Sequence, residues 1–265
     1  MSELAKVRGY WLLLGALLIT LFPAVSAAGQ ERYSCPGRSL EYRLGSFEHN
    51  GKVIRVELFQ PRIEGRFPVI VLIHGSGGLL TRHGKKMPRD ENFGEIQVAC
   101  AGYIALLVHY FDVSGIQSTL DPQYMEEHAK LWLDTLRQAV DYACSLPKAD
   151  PAHIGLWGES LGGYLALSLA LHDRRIRAVS EYAGGIRLHD DDDPGNLPPV
   201  LILHGKDDRI VPVSEALRLQ KVLADHHVPY TINLYQGLNH YPASTARTEI
   251  EQTVIQFFNV RLKRR

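Results

Sequence analysis

The sequence has no excess of charge of either sign, and this absence limits the partners that it can have. Lysine and arginine together number 29, as do aspartate and glutamate, so the formal net charge at pH 7 is zero. Proteins that bind the nucleic-acid backbone concentrate positive charge. We therefore expect no nucleic-acid partner. Hydrophobic residues at 45% and charged residues at 22% also exclude a disordered chain, and 265 residues suit one domain.

Cysteine is scarce, and the motifs of metal sites are missing. The three cysteines are Cys35, Cys100 and Cys144; an odd number leaves one thiol over, and the sequence does not decide a pairing. There is no paired Cys/His spacing and no H-E-x-x-H motif. The acidic run 190–193 lacks the alternating ligands and closing glutamate of a calcium loop, so we expect a solvated loop. No metal and no cofactor are expected.

One long apolar run stands apart from the rest, at the N-terminus. Two basic residues precede the run Tyr10–Phe22, and a proline and several small residues follow it. This order predicts a signal peptide over residues 1–27, cleaved after Ala27, and a secreted or periplasmic domain over 28–265 with no stable membrane insertion. The alternative is an N-terminal membrane anchor, although a run of about 13 residues is short for crossing a bilayer.

Apolar runs alternate with helical patterns from about residue 38 onward. A continuous apolar run such as PVIVLIH at 68–74 is typical of a strand buried on both faces of a sheet. The other predicted strands cover residues 52–60, 103–109, 153–157, 177–182, 199–204 and 230–234. The first predicted helix begins at Asp121-Pro122 and ends before Pro147. Three more helices are predicted over about 160–172, 213–227 and 243–262. This alternation predicts an α/β fold with a doubly wound, mostly parallel sheet, helices on both faces and the ligand site at the strands' carboxyl ends.

A G-x-S-x-G motif follows one of the predicted strands. Gly158 and Gly162 flank Ser160, and a predicted helix comes directly after them. In this strand–turn–helix context the serine is held in a strained backbone conformation, with its hydroxyl exposed at the top of the sheet. The helix N-terminus beside it favours developing negative charge. The motif predicts Ser160 as a nucleophile, against the alternative of a glycine-rich turn with an N-cap serine.

The segment HIGLWGESLGG at 153–163 resembles the nucleophile elbow of the α/β-hydrolases. With HGSGG at 74–78 and LVHYFD at 107–112, the chain resembles the dienelactone hydrolase family over nearly all of its predicted mature length. Well-known members of that family carry cysteine at the position of Ser160 and glutamate at that of Gly75. The resemblance therefore implies an α/β-hydrolase fold and a serine enzyme that cleaves small esters or lactones in general, rather than dienelactone itself.

Two further segments supply partners for the serine in the chain order that this fold uses. GKDDRIVP at 205–212 resembles the segment that carries the acid in the superfamily, which implies Asp208, with Asp207 as the rival one residue away. YQGLNHY at 235–241 resembles the histidine loop and implies His240 as the base. In this role Asp208 would hold the tautomer of His240 and stabilise its imidazolium.

An oxyanion hole requires two backbone N–H groups near the nucleophile. One is expected from Leu161, which follows the serine. The resemblance implies the other at Ser76, in the glycine-rich loop after the strand 68–74. That loop lacks the G-K-[ST] ending of a phosphate loop, so a phosphate-binding role is rejected; the remaining alternative is a flexible glycine loop.

Three aromatic residues that follow or end their strands, Tyr110, Phe111 and Tyr182, are candidates for the walls of a substrate site, with core packing as the alternative. No large lid is visible between the elbow and Asp208, so we expect a shallow site that prefers short acyl groups. The sequence thus predicts a serine esterase or lactonase acting on a small molecule. The alternatives are a peptidase or an acyltransferase of the same fold, and a non-catalytic binding protein.

Overall fold

The centre of the described part of the protein is a β-sheet of nine strands. The computed structural model describes residues 32–35, 38–79 and 94–263; the predicted signal peptide at 1–27 lies outside the described residues. The strands lie in the order β1-β2-β3-β5-β4-β6-β7-β8-β9. Their bounds are β1 Arg32–Cys35, β2 Arg38–His49, β3 Lys52–Pro61, β4 Phe67–Ile73, β5 Ile104–Val108, β6 Ala149–Glu159, β7 Ile176–Tyr182, β8 Val200–Gly205 and β9 Tyr230–Tyr235.

Six neighbouring strands, β5-β4-β6-β7-β8-β9 in their order in the sheet, run parallel to one another, as the alternation of apolar runs and helices predicted. Strands β1, β2 and β3 pair antiparallel, and β3 joins the parallel part antiparallel to β5. The hairpin between β2 and β3 turns through Asn50 and Gly51, both with positive φ, as two-residue hairpin turns require. Neither β1 nor β2 was among the predicted strands. Most of β2 alternates between partly buried and exposed positions, so it lacks the continuous apolar run of the central strands.

The described part has five α-helices, of which the first four connect strands and the fifth follows β9. They are α1 Glu95–Cys100, α2 Pro122–Ser145, α3 Leu161–His172, α4 Ser214–Asp225 and α5 Ser244–Leu262, with short 3-10 helices at Tyr110–Ser114 and Pro194–Asn196. Helix α2 begins as predicted, because the Asp121 carboxylate accepts hydrogen bonds from the N–H groups of Gln123 and Tyr124 and proline follows it. None of these helices is long and apolar enough to cross a membrane.

The two faces of the sheet are covered by different helices. One core contains Trp132 and Leu136 of α2 together with residues of α3 and α4. The other contains Val254 and Phe258 of α5 together with residues of α1. Helices on both faces confirm the doubly wound α/β prediction. Within the described residues, the connection between β7 and β8 carries one short 3-10 helix and no inserted domain.

A disulfide joins Cys35, at the end of β1, to Cys100, at the end of α1. It fastens the edge of the sheet to a helix that is 65 residues away in sequence. Cys144, in the last turn of α2, is a free thiol and is partly buried. The sequence could not give this pairing, because it depends on β1 and α1 meeting at the same edge of the fold.

Candidate active site

The loop between β6 and α3 holds Ser160 in an unusual backbone conformation. Its φ is 53° and its ψ is −120°, a region that residues with a side chain rarely occupy. The Ser160 N–H donates to the carbonyl of Tyr182 at 2.8 Å, and the Ser160 carbonyl accepts from the N–H groups of Gly163 and Tyr164. The backbone of the serine is thus fixed from both sides, while the residue itself stays partly exposed at the carboxyl end of the sheet.

The two glycines of the motif are required by close approach of backbone to backbone. A methyl group at Gly158 would collide with the carbonyl of Gly162, and one at Gly162 would collide with the carbonyl of Ile73 in β4. Any larger residue would therefore push α3 away from the sheet. This explains why the sequence places glycine on each side of the x-S-x segment.

The structure brings His240 and Asp208 to Ser160 from two separate loops. The Nε2 atom of His240 lies 3.1 Å from the Ser160 Oγ, and its Nδ1 atom lies 2.7 Å from the Asp208 Oδ2. Both His240 and Asp208 are buried, at 7% exposure each. Asp207, the rival acid in the sequence, is exposed to solvent. A serine, a histidine and an aspartate joined in this order can activate the hydroxyl by proton transfer.

The carboxylate of Asp208 is held by its own loop. Its Oδ1 accepts hydrogen bonds of 2.9 Å from the N–H groups of Ile210 and Val211, which leaves Oδ2 free to face His240. Behind it lies His204, whose Nε2 is 2.9 Å from the Val211 carbonyl and 3.5 Å from the Asp208 Oδ2. Burial lowers the pKa of His204, so this ring is neutral near pH 7. The sequence analysis did not include His204 in the site.

The glycine-rich loop after β4 lies directly against the serine. A methyl group at Gly75 would be 3.2 Å from the Cβ of Ser160, so the loop passes close to the Ser160 side chain. Ser76 is the next residue, and its carbonyl accepts from the N–H of Thr119 at 2.9 Å, which ties the loop to the segment before α2. Leu161 is the first residue of α3, where an N–H has no acceptor within the helix. Both predicted oxyanion donors thus belong to segments that adjoin Ser160.

The model of the dienelactone hydrolase family matches residues 54–254, which is most of the chain. The chain belongs to the dienelactone hydrolase family. Its fold is the α/β-hydrolase fold of that family.

Several known proteins show how far this similarity extends. The quorum-quenching protein AidA of Acinetobacter baumannii is 32% identical over 133 residues, which cover 50% of this chain and 40% of AidA. Human acyl-coenzyme A thioesterase 1 is 30% identical over 133 residues, covering 50% of this chain and 27% of the thioesterase. The chain therefore matches less than half the length of these two relatives. A dienelactone hydrolase-like promiscuous phosphotriesterase from metagenomic libraries superimposes with a TM-score of 0.71 at 18% identity, over 84% of this chain and 99% of that one.

The three aromatic residues predicted to wall a substrate site lie in the core of this family member. Tyr110 is fully buried; its hydroxyl donates to the His74 carbonyl at 2.9 Å, and its ring stacks on that of His74. Phe111 is 3% exposed and packs against Trp132. Tyr182 is 2% exposed. The structure thus assigns these rings to packing rather than to the surface of a cleft, because each points from its strand end into one of the cores.

Tyr182 nevertheless supports the candidate site from below. Its hydroxyl donates to the carbonyl of Asn239 at 3.2 Å, directly before His240, and its own carbonyl accepts from the N–H of Ser160. One residue of β7 therefore contacts the backbone of both the serine turn and the histidine loop. Such an arrangement fixes the distance between the two loops without touching a substrate.

A partly buried ion pair also holds the serine turn, and no sequence motif marked it. The guanidinium of Arg247 in α5 donates to the two carboxylate oxygens of Glu159, at 2.8 and 3.3 Å. Glu159 precedes Ser160 directly. The pair therefore fastens the serine turn to the helix that follows the histidine loop, and two parallel hydrogen bonds give it a fixed geometry.

A second polar cluster lies two strands away from the serine. His109 is 9% exposed, and its Nε2 lies 3.0 Å from the Glu57 Oε1. The Tyr42 hydroxyl donates to the other carboxylate oxygen of Glu57, also at 3.0 Å. The structure places this cluster at the end of β5, apart from the hydrogen bonds of Ser160.

The acidic run 190–193 forms local contacts. The Asp192 Oδ1 lies 3.2 Å from the His172 Nε2, and its Oδ2 accepts from the N–H of His189 at 2.8 Å. Asp193 caps the short 3-10 helix that follows by accepting from the N–H of Gly195. Across the described ranges, no group of three or more His, Cys, Asp or Glu side chains is arranged to hold a metal ion.

Proposed function

We propose that this chain is a serine hydrolase that cleaves small carboxylic esters or lactones through an acyl-enzyme. The observation that supports the proposal is the hydrogen-bonded line from the Ser160 Oγ through His240 to Asp208. Ser160 is the nucleophile, His240 the base and Asp208 the residue that orients His240. Family membership supports an ester as the substrate.

In the proposed mechanism, the Ser160 Oγ attacks the carbonyl carbon of the ester while its proton passes to the Nε2 of His240. The N–H groups of Leu161 and Ser76 stabilise the negative oxygen of the tetrahedral intermediate. His240 then gives its proton to the departing alcohol, which leaves the acyl group on Ser160. Water repeats the same steps, with His240 again as base, and releases the acid. The imidazolium that forms twice in this cycle is stabilised by the Asp208 carboxylate.

The substrate is a small molecule with a short acyl group. The connection between β7 and β8 carries no inserted lid in the described part of the chain, and the aromatic rings that could have enclosed an acyl chain are buried in the core. The loops that follow β7, β8 and β9 instead expose single apolar side chains, namely Leu188, Ile210 and Tyr241. We infer that these single side chains contact one or two carbon atoms of an acyl group and do not surround a long chain.

A series of p-nitrophenyl esters from acetate to palmitate tests this substrate class. We expect kcat/KM to be highest among the shortest acyl groups, because a methylene contributes its approximately 0.8 kcal/mol only when it leaves water. The kcat/KM values for lactones, thioesters and peptides should be measured under the same conditions and compared with those for the esters. The Ser160→Ala protein is the negative control. A kcat/KM that rises steadily to palmitate would contradict the preference for short acyl groups, because it would require a deep pocket.

We also propose that the protein is exported and cleaved after Ala27. The N-terminal order of charged, apolar and small residues supports this, and so does the disulfide between Cys35 and Cys100, since disulfides persist in oxidising compartments. N-terminal sequencing of protein recovered from the periplasm or medium should give a chain that begins at Ala28. Ala27→Phe is the control, and it should block this cut. Recovery of a membrane-bound protein that begins at Met1 would favour the anchor.

A further inference from the structure

Glu181 is a fully buried acidic residue near the end of β7, and the hydrolytic mechanism above does not use it. Its side chain has 0% exposure. In the sheet it lies between Gly158 of β6 and Ile202 of β8. Gly158 opens the G-x-S-x-G motif, so Glu181 is a direct neighbour of the strand end that carries the nucleophile.

The carboxyl group binds the turn after β7, which lies next to the serine turn. Its Oε2 accepts a hydrogen bond of 2.8 Å from the N–H of Gly184. A methyl group at Gly184 would lie 2.8 Å from this oxygen and 3.0 Å from the carbonyl oxygen of Ser160. A methyl group at Gly163, in the first turn of α3, would lie 3.3 Å from the same Oε2. Glycine at both positions therefore lets the carboxyl fit between the 183–184 turn and the first turn of α3.

The surroundings favour the neutral acid. The Oε1 of Glu181 is buried, and among the described residues it has no hydrogen-bond partner. A carboxylate that is buried with a single N–H donor is strongly disfavoured, whereas a neutral carboxylic acid costs much less to bury. Burial accordingly raises the pKa of Glu181 to about 8, with the Gly184 hydrogen bond acting in the opposite direction. Near pH 7 the group therefore carries a proton.

The ionisable groups on the neighbouring elements do not neutralise a charge on Glu181, because each of them interacts with another group. Tyr164 is the ionisable group that interacts with Glu181, and it shares a hydrogen bond with Glu215. The other ionisable groups on the neighbouring elements are paired with one another: Arg187 over the Tyr164 ring, Arg218 with Glu215, Arg247 with Glu159, and Asp208 with His204 and His240. In the part of the chain that the structure describes, no cation is paired with Glu181. Ionisation would thus place an uncompensated negative charge beneath the serine turn.

We propose that Glu181 is a positioning residue of the serine turn and that hydrolysis requires it in the neutral form. The neutral acid holds Gly184, and with it the 183–184 turn, against the first turn of α3. The ionised form adds negative charge near the first turn of α3, the turn whose Leu161 N–H is proposed to stabilise the oxyanion. The inference rests on the proposed function, because it takes Ser160 as the nucleophile.

The pH dependence of Ser160 acylation tests this inference. Wild type should lose kcat/KM as the pH rises through about 8, and by pH 9.5 the loss should be roughly thirtyfold, as expected for one group that must stay protonated. Glu181→Gln keeps the shape and the hydrogen bond to Gly184 but cannot ionise. It should retain activity near pH 7 and lack the alkaline loss. The rate of phosphonylation by a fluorophosphonate should follow the same two profiles.

The matched control is Glu126→Gln, the same change at an exposed position of α2. It should keep the wild-type profile. An alkaline loss that persists in Glu181→Gln, or a wild type without such a loss, would overturn the role of Glu181. A wild type that is not labelled at Ser160 at any pH would instead refute the proposed function, so the two failures are distinguishable.

The wild-type protein provides a second measurement if Glu181→Gln does not fold. With 13C-labelled glutamate, infrared spectroscopy should show a protonated carboxylic acid in the native protein at pH 6. Its band should disappear as the pH rises through about 8, in step with the rate of Ser160 labelling. Absence of the band at pH 6, or its loss without any change in labelling, would contradict the proposal.

Discussion

Ser160→Ala should lower the turnover of a short p-nitrophenyl ester by about 10⁴-fold or more, because the variant has no nucleophile and keeps only the oxyanion donors and binding contacts. A fluorophosphonate should label Ser160 of the wild type and no residue of the variant. The measurements are the turnover of both purified proteins and the mass of the labelled peptide.

Ser145→Ala is the matched control for this prediction. Ser145 is exposed at the end of α2, and its hydroxyl donates only to the backbone carbonyl of Tyr142 among the described contacts. Its removal should leave turnover within about twofold of the wild type, as expected for a surface substitution. Labelling that persists in a folded Ser160→Ala protein would show that another residue is the nucleophile.

Asp208→Asn should also reduce turnover by about 10⁴-fold while the fold remains intact, because an amide beside the Nδ1 of His240 stabilises the wrong tautomer. The carboxylate accepts at both oxygens in the structure: Oδ2 from His240, and Oδ1 from the N–H groups of Ile210 and Val211. An amide oxygen can serve the two N–H groups, but its NH₂ then faces the histidine as a donor.

Asp207→Asn provides a control of the same chemistry one residue away. Asp207 is exposed, so its change should affect turnover only slightly. Circular dichroism of both variants would establish that each is folded. If Asp207→Asn proved the more damaging of the two, the orienting role would belong to Asp207, and the geometry of His240 would need another explanation.

The parallel part of the sheet could be predicted because its strands are buried on both faces. Such strands require continuous apolar runs, and runs of that kind are visible at 68–74 and 199–204 in the sequence itself. The hairpin strand β2 could not be predicted in this way. Its residues alternate in burial and include several charged side chains, so it resembles the polar connections of the chain.

The serine turn could be predicted for a different reason, namely that its requirements are local. Gly158 and Gly162 allow backbones to approach each other, and the serine between them is followed at once by a helix. The order serine, aspartate, histidine along the chain then restricts the partners to a few candidates. Asp207 and Asp208 are adjacent in the sequence, and the structure places Asp208 against His240.

The roles of the aromatic rings could not be read from their positions in the sequence. Tyr110 follows a strand and Tyr182 ends one, and at such positions a side chain can face either a cleft or the core. Only the packing of neighbouring elements decides between these, and here both rings are buried. For the same reason the sequence did not reveal the pair of Arg247 with Glu159, because the two residues come from distant segments.

The sequence by itself thus determined the fold class, the family and the order of the three residues proposed for catalysis, because these depend on local patterns of apolar and glycine residues. The tertiary structure alone decided which cysteines pair, which aspartate meets His240 and where Glu181 lies. Those outcomes depend on contacts between residues far apart in the chain, and a buried acid such as Glu181 acquires its properties from the groups that surround it. Its raised pKa follows from its burial between segments that are distant in the chain, which no stretch of sequence records.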